Sequence, residues 1–84
     1  MAKPRTTYKD RIVVDPDILV GKPVVKGTRI PVEAVLARLA ENPDVSDLFG
    51  AFPRLTIEDV KACLAFAEDE VRRRRRARAS ATRR

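Results

Sequence analysis

The sequence predicts a mainly α protein in which a short N-terminal β element precedes three helices. Three observations carry this expectation. Two short β-branched runs, Ile12 to Val14 and Val24-Val25, lie within the first 26 positions, each closed by turn residues. From Pro31 onward the apolar spacing changes from strand-like to helical, with Val32, Val35, Leu36, Leu39 and Ala40 on one face. Two further helical segments then open behind Asp44 and Thr56, residues whose side chains satisfy the unpaired N–H groups of a helix start.

Taken in order, residues 1–10 hold Lys3, Arg5 and Lys9 without apolar periodicity and read as a flexible basic arm. Residues 11–14 form the first strand, ended by Asp15-Pro16-Asp17, where Asp bonds nearby backbone and Pro presets a turn angle. Pro23 to Lys26 forms the second. Neither is long enough to stand alone, so each must pair with the other, with a second chain or against the helices. Between Gly21 and Pro31 the chain spends two of its three glycines and two of its six prolines, which specifies a turning backbone path. Five residues separate Gly21 from Gly27 and Thr28 follows Gly27 with no lysine between, so this is not a nucleotide-phosphate loop. Arg29 within it has two readings, a lock on the turn through carbonyl groups or a contact to phosphate.

Helix one is expected over 31–41, with Pro31 at its first position and Asn42-Pro43 ending it. Helix two is expected over 45–51 behind Asp44, with Val45, Leu48, Phe49 and Phe52 as its apolar residues. Phe52-Pro53-Arg54-Leu55 connects it to helix three, which Thr56 caps. There Ile57, Val60, Leu64, Ala67 and Val71 repeat at alternating intervals of three and four, the spacing of a narrow apolar stripe. Phe66 lies well off that stripe beside Ala62 and Cys63 and marks a second apolar face, either packed beneath the N-terminal strands or presented to a partner.

Composition limits the functions available. Eighty-four residues make a single domain, here residues 11–71, and so small a core makes a homodimer or a protein partner reasonable to expect. A single cysteine, Cys63, excludes an internal disulfide, and the absence of histidine removes the commonest general base and zinc ligand. No activated nucleophile or carboxylate cluster is evident, so neither an enzyme nor a cofactor is expected. No apolar run of about 18 residues occurs, which points to a soluble, cytoplasmic protein without a membrane partner. The net charge of +6 is unevenly held: residues 72–84 carry +8 and everything before them −2. The tail contains Arg72, Arg73, Arg74, Arg75, Arg76 and Arg78, suited to nucleic-acid phosphates or to a carboxylate-rich protein site.

Taken together, Arg11-Ile12, Gly21-Lys22-Pro23, Lys26-Gly27-Thr28-Arg29-Ile30-Pro31-Val32, the Asp44-capped helix, Phe52-Pro53-Arg54-Leu55-Thr56 and Asp59 to Ala67 resemble the domain-of-unknown-function 433 family over about residues 11–70. Asn42 and Asp44 stand where the family favours Gly and Ser, and Phe52 and Phe66 where it favours Tyr. The resemblance implies a homeodomain-like helix-turn-helix domain, with residues 44–51 and 56–70 as its two helices. It also implies an antitoxin that neutralises a PIN-like ribonuclease toxin and binds operator DNA. On that reading Lys22, Lys26, Arg29, Lys61, Arg72 and Arg73 are candidate nucleic-acid contacts, and Phe66, Arg74, Arg75, Arg76 and Arg78 candidate partner contacts. Helix three opens Thr56-Ile57-Glu58-Asp59 and has Lys61 as its only base before Arg72, so the arms rather than this helix should supply attraction to DNA. The alternatives are a stand-alone DNA-binding regulator and a structural dimerisation or adaptor module.

Overall fold

The computed structural model describes residues 8–81, with side chains through Arg74. Its order is a two-stranded hairpin of β1 (Ile12–Val13) and β2 (Val24–Val25), followed by α1 (Val32–Glu41), α2 (Val45–Ala51) and α3 (Ile57–Ala81). The strands pair with each other, antiparallel, Ile12 opposite Val25 and Val13 opposite Val24. The β-plus-three-helix expectation therefore holds.

Strands this short persist because both edges of β2 are used. Lys26 N–H donates to the Arg11 carbonyl at 2.7 Å. On its other edge, Val25 N–H donates to the Ile30 carbonyl at 3.0 Å and Val32 N–H to the Pro23 carbonyl at 2.9 Å. The chain thus doubles back between Val25 and Ile30, and Gly27, at φ +81°, makes the reversal. Thr28 fixes it: its Oγ1 donates to the Val25 carbonyl at 2.7 Å and accepts from Ile30 N–H at 3.0 Å. Upstream, Leu19, Val20 and Gly21 all take positive φ, a left-handed passage that is costly for a β-branched residue such as Val20.

Pro31 sits at the N-cap of α1, one residue earlier than expected, because its carbonyl already accepts the first helical bonds, from Ala34 and Val35 N–H. Asp44 caps α2 by accepting from Ser46 N–H at 2.9 Å. Arg38, placed by its spacing on the outer face of α1, instead forks onto Asp47, with Nε to Oδ2 at 2.9 Å and Nη2 to Oδ1 at 3.3 Å. This pair braces α1 against α2.

The core gathers Ile12 and Val25 from the hairpin, Val32 and Val35 from α1, Leu48 from α2, Leu55 from the connector, and Val60, Ala62 and Cys63 from α3. The core takes Val60 from the 3-4 stripe of α3 and otherwise uses the second apolar face. Ile57, Leu64 and Val71 of the stripe are 49%, 49% and 63% exposed, whereas Val60, Ala62 and Cys63 are buried and Phe66 packs against the core.

α3 opens with a reciprocal cap. Asp59 N–H donates to Thr56 Oγ1 at 3.2 Å, and Thr56 N–H donates to Asp59 Oδ2 at 3.0 Å. The other carboxylate oxygen accepts from Arg11 Nη1 at 3.1 Å. Asp59 is the only charged residue among the buried ones described, and both of its oxygens are used. Tyr8, within the segment expected to be an arm, is also held: its hydroxyl donates to Asp69 Oδ2 at 2.6 Å and its ring meets Phe66 edge-on at 5.2 Å. At the far end α3 continues to Ala81.

Removing Asp59 strands a helix-start N–H and a guanidinium together. Asp59→Ala should therefore cost about 2–3 kcal/mol in chemical denaturation. Arg11→Ala should cost less than about 1 kcal/mol, because the arginine is half exposed and the cap survives without it.

Candidate functional site

The structure divides the sequence-predicted residues into two groups. The first surrounds the Gly27 turn. Since Thr28 closes that turn, Arg29 is left exposed, and it shares an open depression of about 390 Å³ with Ile18, Gly27, Thr28 and Arg54. Neither Arg29 nor Arg54 has an ion pair among the described residues, so two guanidinium groups border one solvent-filled hollow. Sequence reasoning missed Arg54. Its motif was recognised, but nothing in local spacing relates the α2–α3 connector to a turn some 25 residues earlier. Lys26 is exposed beside Gly27. Lys22 is engaged elsewhere, with Nζ 3.1 Å from Glu33 Oε2, an exposed pair of small energetic weight.

The second group follows α3. Lys61 stands on the exposed side, 4.0 Å from Glu58. The turn Glu68-Asp69-Glu70 engages the first two arginines: Arg72 pairs with Glu68, and Arg73 lies 3.3 Å from Asp69 and 3.9 Å from Glu70. Arg74 is exposed and makes no ion pair among the described residues. The side chains of Arg75, Arg76 and Arg78 lie outside those described, although the helix backbone passes through all three positions. Phe66 is half-buried against the core and Tyr8, the first of the two arrangements open to it.

The titratable groups are built for packing. Burial pushes the Cys63 thiol up to about 11, and the nearby Asp59 carboxylate adds to the effect, so the thiol stays protonated near neutrality. Tyr8 is raised chiefly by the bond its hydroxyl makes to Asp69, then by burial and by the negative charge there. Arg38 is raised by its bond to Asp47 and that carboxylate's charge. Among the described residues no three His, Cys, Asp or Glu side chains are placed to hold a metal ion. No helix there is long and apolar enough to cross a membrane.

The molecule is thus a β-hairpin on three helices, with cations on a glycine turn and along the last helix. The chain belongs to the family described as "Protein of unknown function (DUF433)", whose model matches residues 12–67. It is 38% identical over 68 residues to the uncharacterized protein y4eO of Sinorhizobium fredii, covering 81% of this chain but 31% of that protein, so it spans about a third of that relative's length. A segment of 25 residues is 68% identical to an uncharacterized protein of Archaeoglobus fulgidus, covering 30% of this chain and 69% of that one. The crystal structure of a DUF433 member from Anabaena variabilis superposes with a TM-score of 0.69 at 27% identity, covering 84% of this chain and 70% of that one.

The thiol supplies a test of the core. Its ordinary value is 9.0, so the unfolded chain releases this proton first as pH rises and the folded chain later. The contribution is complete below about pH 9 and is lost up to about pH 11. Denaturation across that interval should show stability falling by roughly 2 kcal/mol more in the native chain than in Cys63→Ala.

Proposed function

We propose that this chain is an antitoxin-like binding protein that neutralises a PIN-like ribonuclease and also contacts operator DNA. Membership of the family, which as a resemblance implies such a role, supports the class. One structural observation favours the mode: the arginines ride on the continuation of α3 rather than on a separate tail. From Phe66, the last large core-packed residue of α3, to Arg76 is roughly 15 Å along the axis, far enough to enter a cleft on another protein. The acidic turn at 68–70 occupies Arg72 and Arg73, while Arg74 makes no ion pair among the described residues, and it and the arginines at 75, 76 and 78 are the proposed partner contacts. A metal-dependent nuclease gathers carboxylates around its cation. A guanidinium can bond two oxygens of such a carboxylate at once and take the place of the cation. Co-expression with the cognate toxin tests this: the full chain should restore growth, and a chain ending at Val71 should lose most of that protection. Full protection by the truncated chain would overturn the arginine mechanism, and no protection by the full chain would overturn the antitoxin role itself.

A second reading, a stand-alone DNA-binding regulator, is favoured by the depression between Arg29 and Arg54. Two cations without ion pairs on one hollow suit phosphate oxygens better than base edges. If the hollow meets a phosphate, Arg29→Ala should leave the melting temperature unchanged and reduce the log–log salt slope of DNA binding by about 0.9. Thr28→Ala should instead lower stability by about 1 kcal/mol, since Thr28 holds the turn.

A further inference from the structure

The exposed side of α3 is apolar at regular intervals. Ile57, Leu64 and Val71 are half-exposed or more and lie seven residues apart. Lys61 and Glu68 fall between them, also exposed, so the outward seam reads Ile57, Lys61, Leu64, Glu68, Val71 at intervals of four and three. This is the repeat by which one helix packs along another. At 100° per residue the seam is centred roughly 150° from the buried face formed by Asp59, Val60, Ala62, Cys63 and Phe66. The hairpin, α1 and α2 therefore lie behind the helix and leave the seam open. Among the described residues the core is assembled without these three side chains.

We propose that the seam is a homodimer interface in which α3 of one copy lies antiparallel to α3 of a second copy, with the two-fold axis close to Leu64. The charge pattern identifies both the occupant and its direction. Antiparallel pairing about Leu64 brings Ile57 against Val71 of the other copy and Leu64 against its counterpart. It sets Lys61 beside Glu68 across the interface and Glu58 near Arg72, each twice by symmetry. Parallel pairing would oppose Lys61 to Lys61 and Glu68 to Glu68, and would run the arginines of 72–76 alongside each other. The antiparallel arrangement also sets the acidic start of α3, Glu58, against the basic stretch of the other helix and opposes the two helix dipoles.

The charges that would cross the interface already have local partners, Lys61 with Glu58 and Arg72 with Glu68. Re-pairing them between copies exchanges one exposed ion pair for another, so charge selects orientation while the three apolar side chains supply the affinity. With so few apolar layers the dimer should be of micromolar strength, with Kd roughly 1–100 μM. Its shape follows from the register: Arg74 of the two copies would stand at opposite ends, roughly 30 Å apart. The inference stands independently of the nuclease reading, because it uses no residue beyond Arg72 except to reject the parallel form.

Sedimentation equilibrium on the full chain tests it. The apparent mass should rise from one chain to two as concentration increases to about 0.5 mM. A single-chain mass throughout that range overturns the proposal. Leu64→Lys should weaken association at least tenfold while leaving the helical circular dichroism unchanged, because Leu64 is half exposed and outside the core. A dimer indifferent to that change uses another surface and equally overturns it. Direction is read by disulfide trapping, with the buried native Cys63 as a silent background. The double variant Ile57→Cys, Val71→Cys should crosslink into dimers and Ile57→Cys alone should not. Crosslinking of the Ile57→Cys single variant would establish the parallel form and overturn the antiparallel one. Lys61→Glu should weaken the dimer several-fold, and adding Glu68→Lys should restore it. Failure of the second change to restore what the first removes would overturn the register.

Discussion

The buried carboxylate of Asp59 is the point on which three parts of the chain depend. One oxygen closes the start of α3 through Thr56 N–H, and the other receives the guanidinium of Arg11 at the edge of β1. A two-residue strand has little hold of its own. Here its first flank is tied to the first turn of the longest helix, and β2 is then tied to β1 on one edge and to the chain leading into α1 on the other. Burying an ion costs desolvation, and Asp59 offsets that cost by satisfying both oxygens and by lying where the helix dipole favours negative charge. The same carboxylate also helps to keep Cys63 protonated, which joins the cap to the core beside it.

The sequence carried most of the local structure because local chemistry decides it. α2 begins and ends where Asp44 and the Phe52-Pro53 break place it, and Thr56 caps α3 as its hydroxyl suggests. The β element was legible from β-branched runs between turn residues, with its pairing left open. What stayed hidden depends on pairs distant in sequence. Arg38 looked solvent-facing by helical angle, but a guanidinium is long enough to reach Asp47 on the next helix. Arg11 and Asp59 are 48 residues apart, and Tyr8 and Asp69 are 61 apart. No periodicity within either segment encodes such meetings. Tyr8 in particular sits in a charged, aperiodic stretch whose composition suggests an arm.

The candidate site was legible to a different degree. Composition located its cations, but which of them are available is set by neighbours in space. Thr28 relieves Arg29 of any duty in the turn, Glu33 occupies Lys22, and the acidic turn before the arginine run occupies Arg72 and Arg73. Arg54 joins Arg29 because α2 and its connector return to the hairpin, a tertiary event that spacing does not report. Counting basic residues therefore overstates the accessible charge, and pairing determines where it remains.

The two apolar faces of α3 carry their own physical content. Large apolar residues at 3-4 spacing ordinarily mark the buried side of a helix, because burial of that surface is the main driving force of folding. In α3 the body covers mostly the other side, burying Val60, Ala62 and Cys63 while Asp59 and Phe66 are engaged by the N-terminal segment. A helix with two apolar faces, one filled by its own chain and one open, has more apolar surface than a monomer of this size uses. The surplus is confined to residues 57–71, while the arginines continue beyond it, so one helix separates along its length the proposed dimer seam from the arginines proposed to meet an acidic partner.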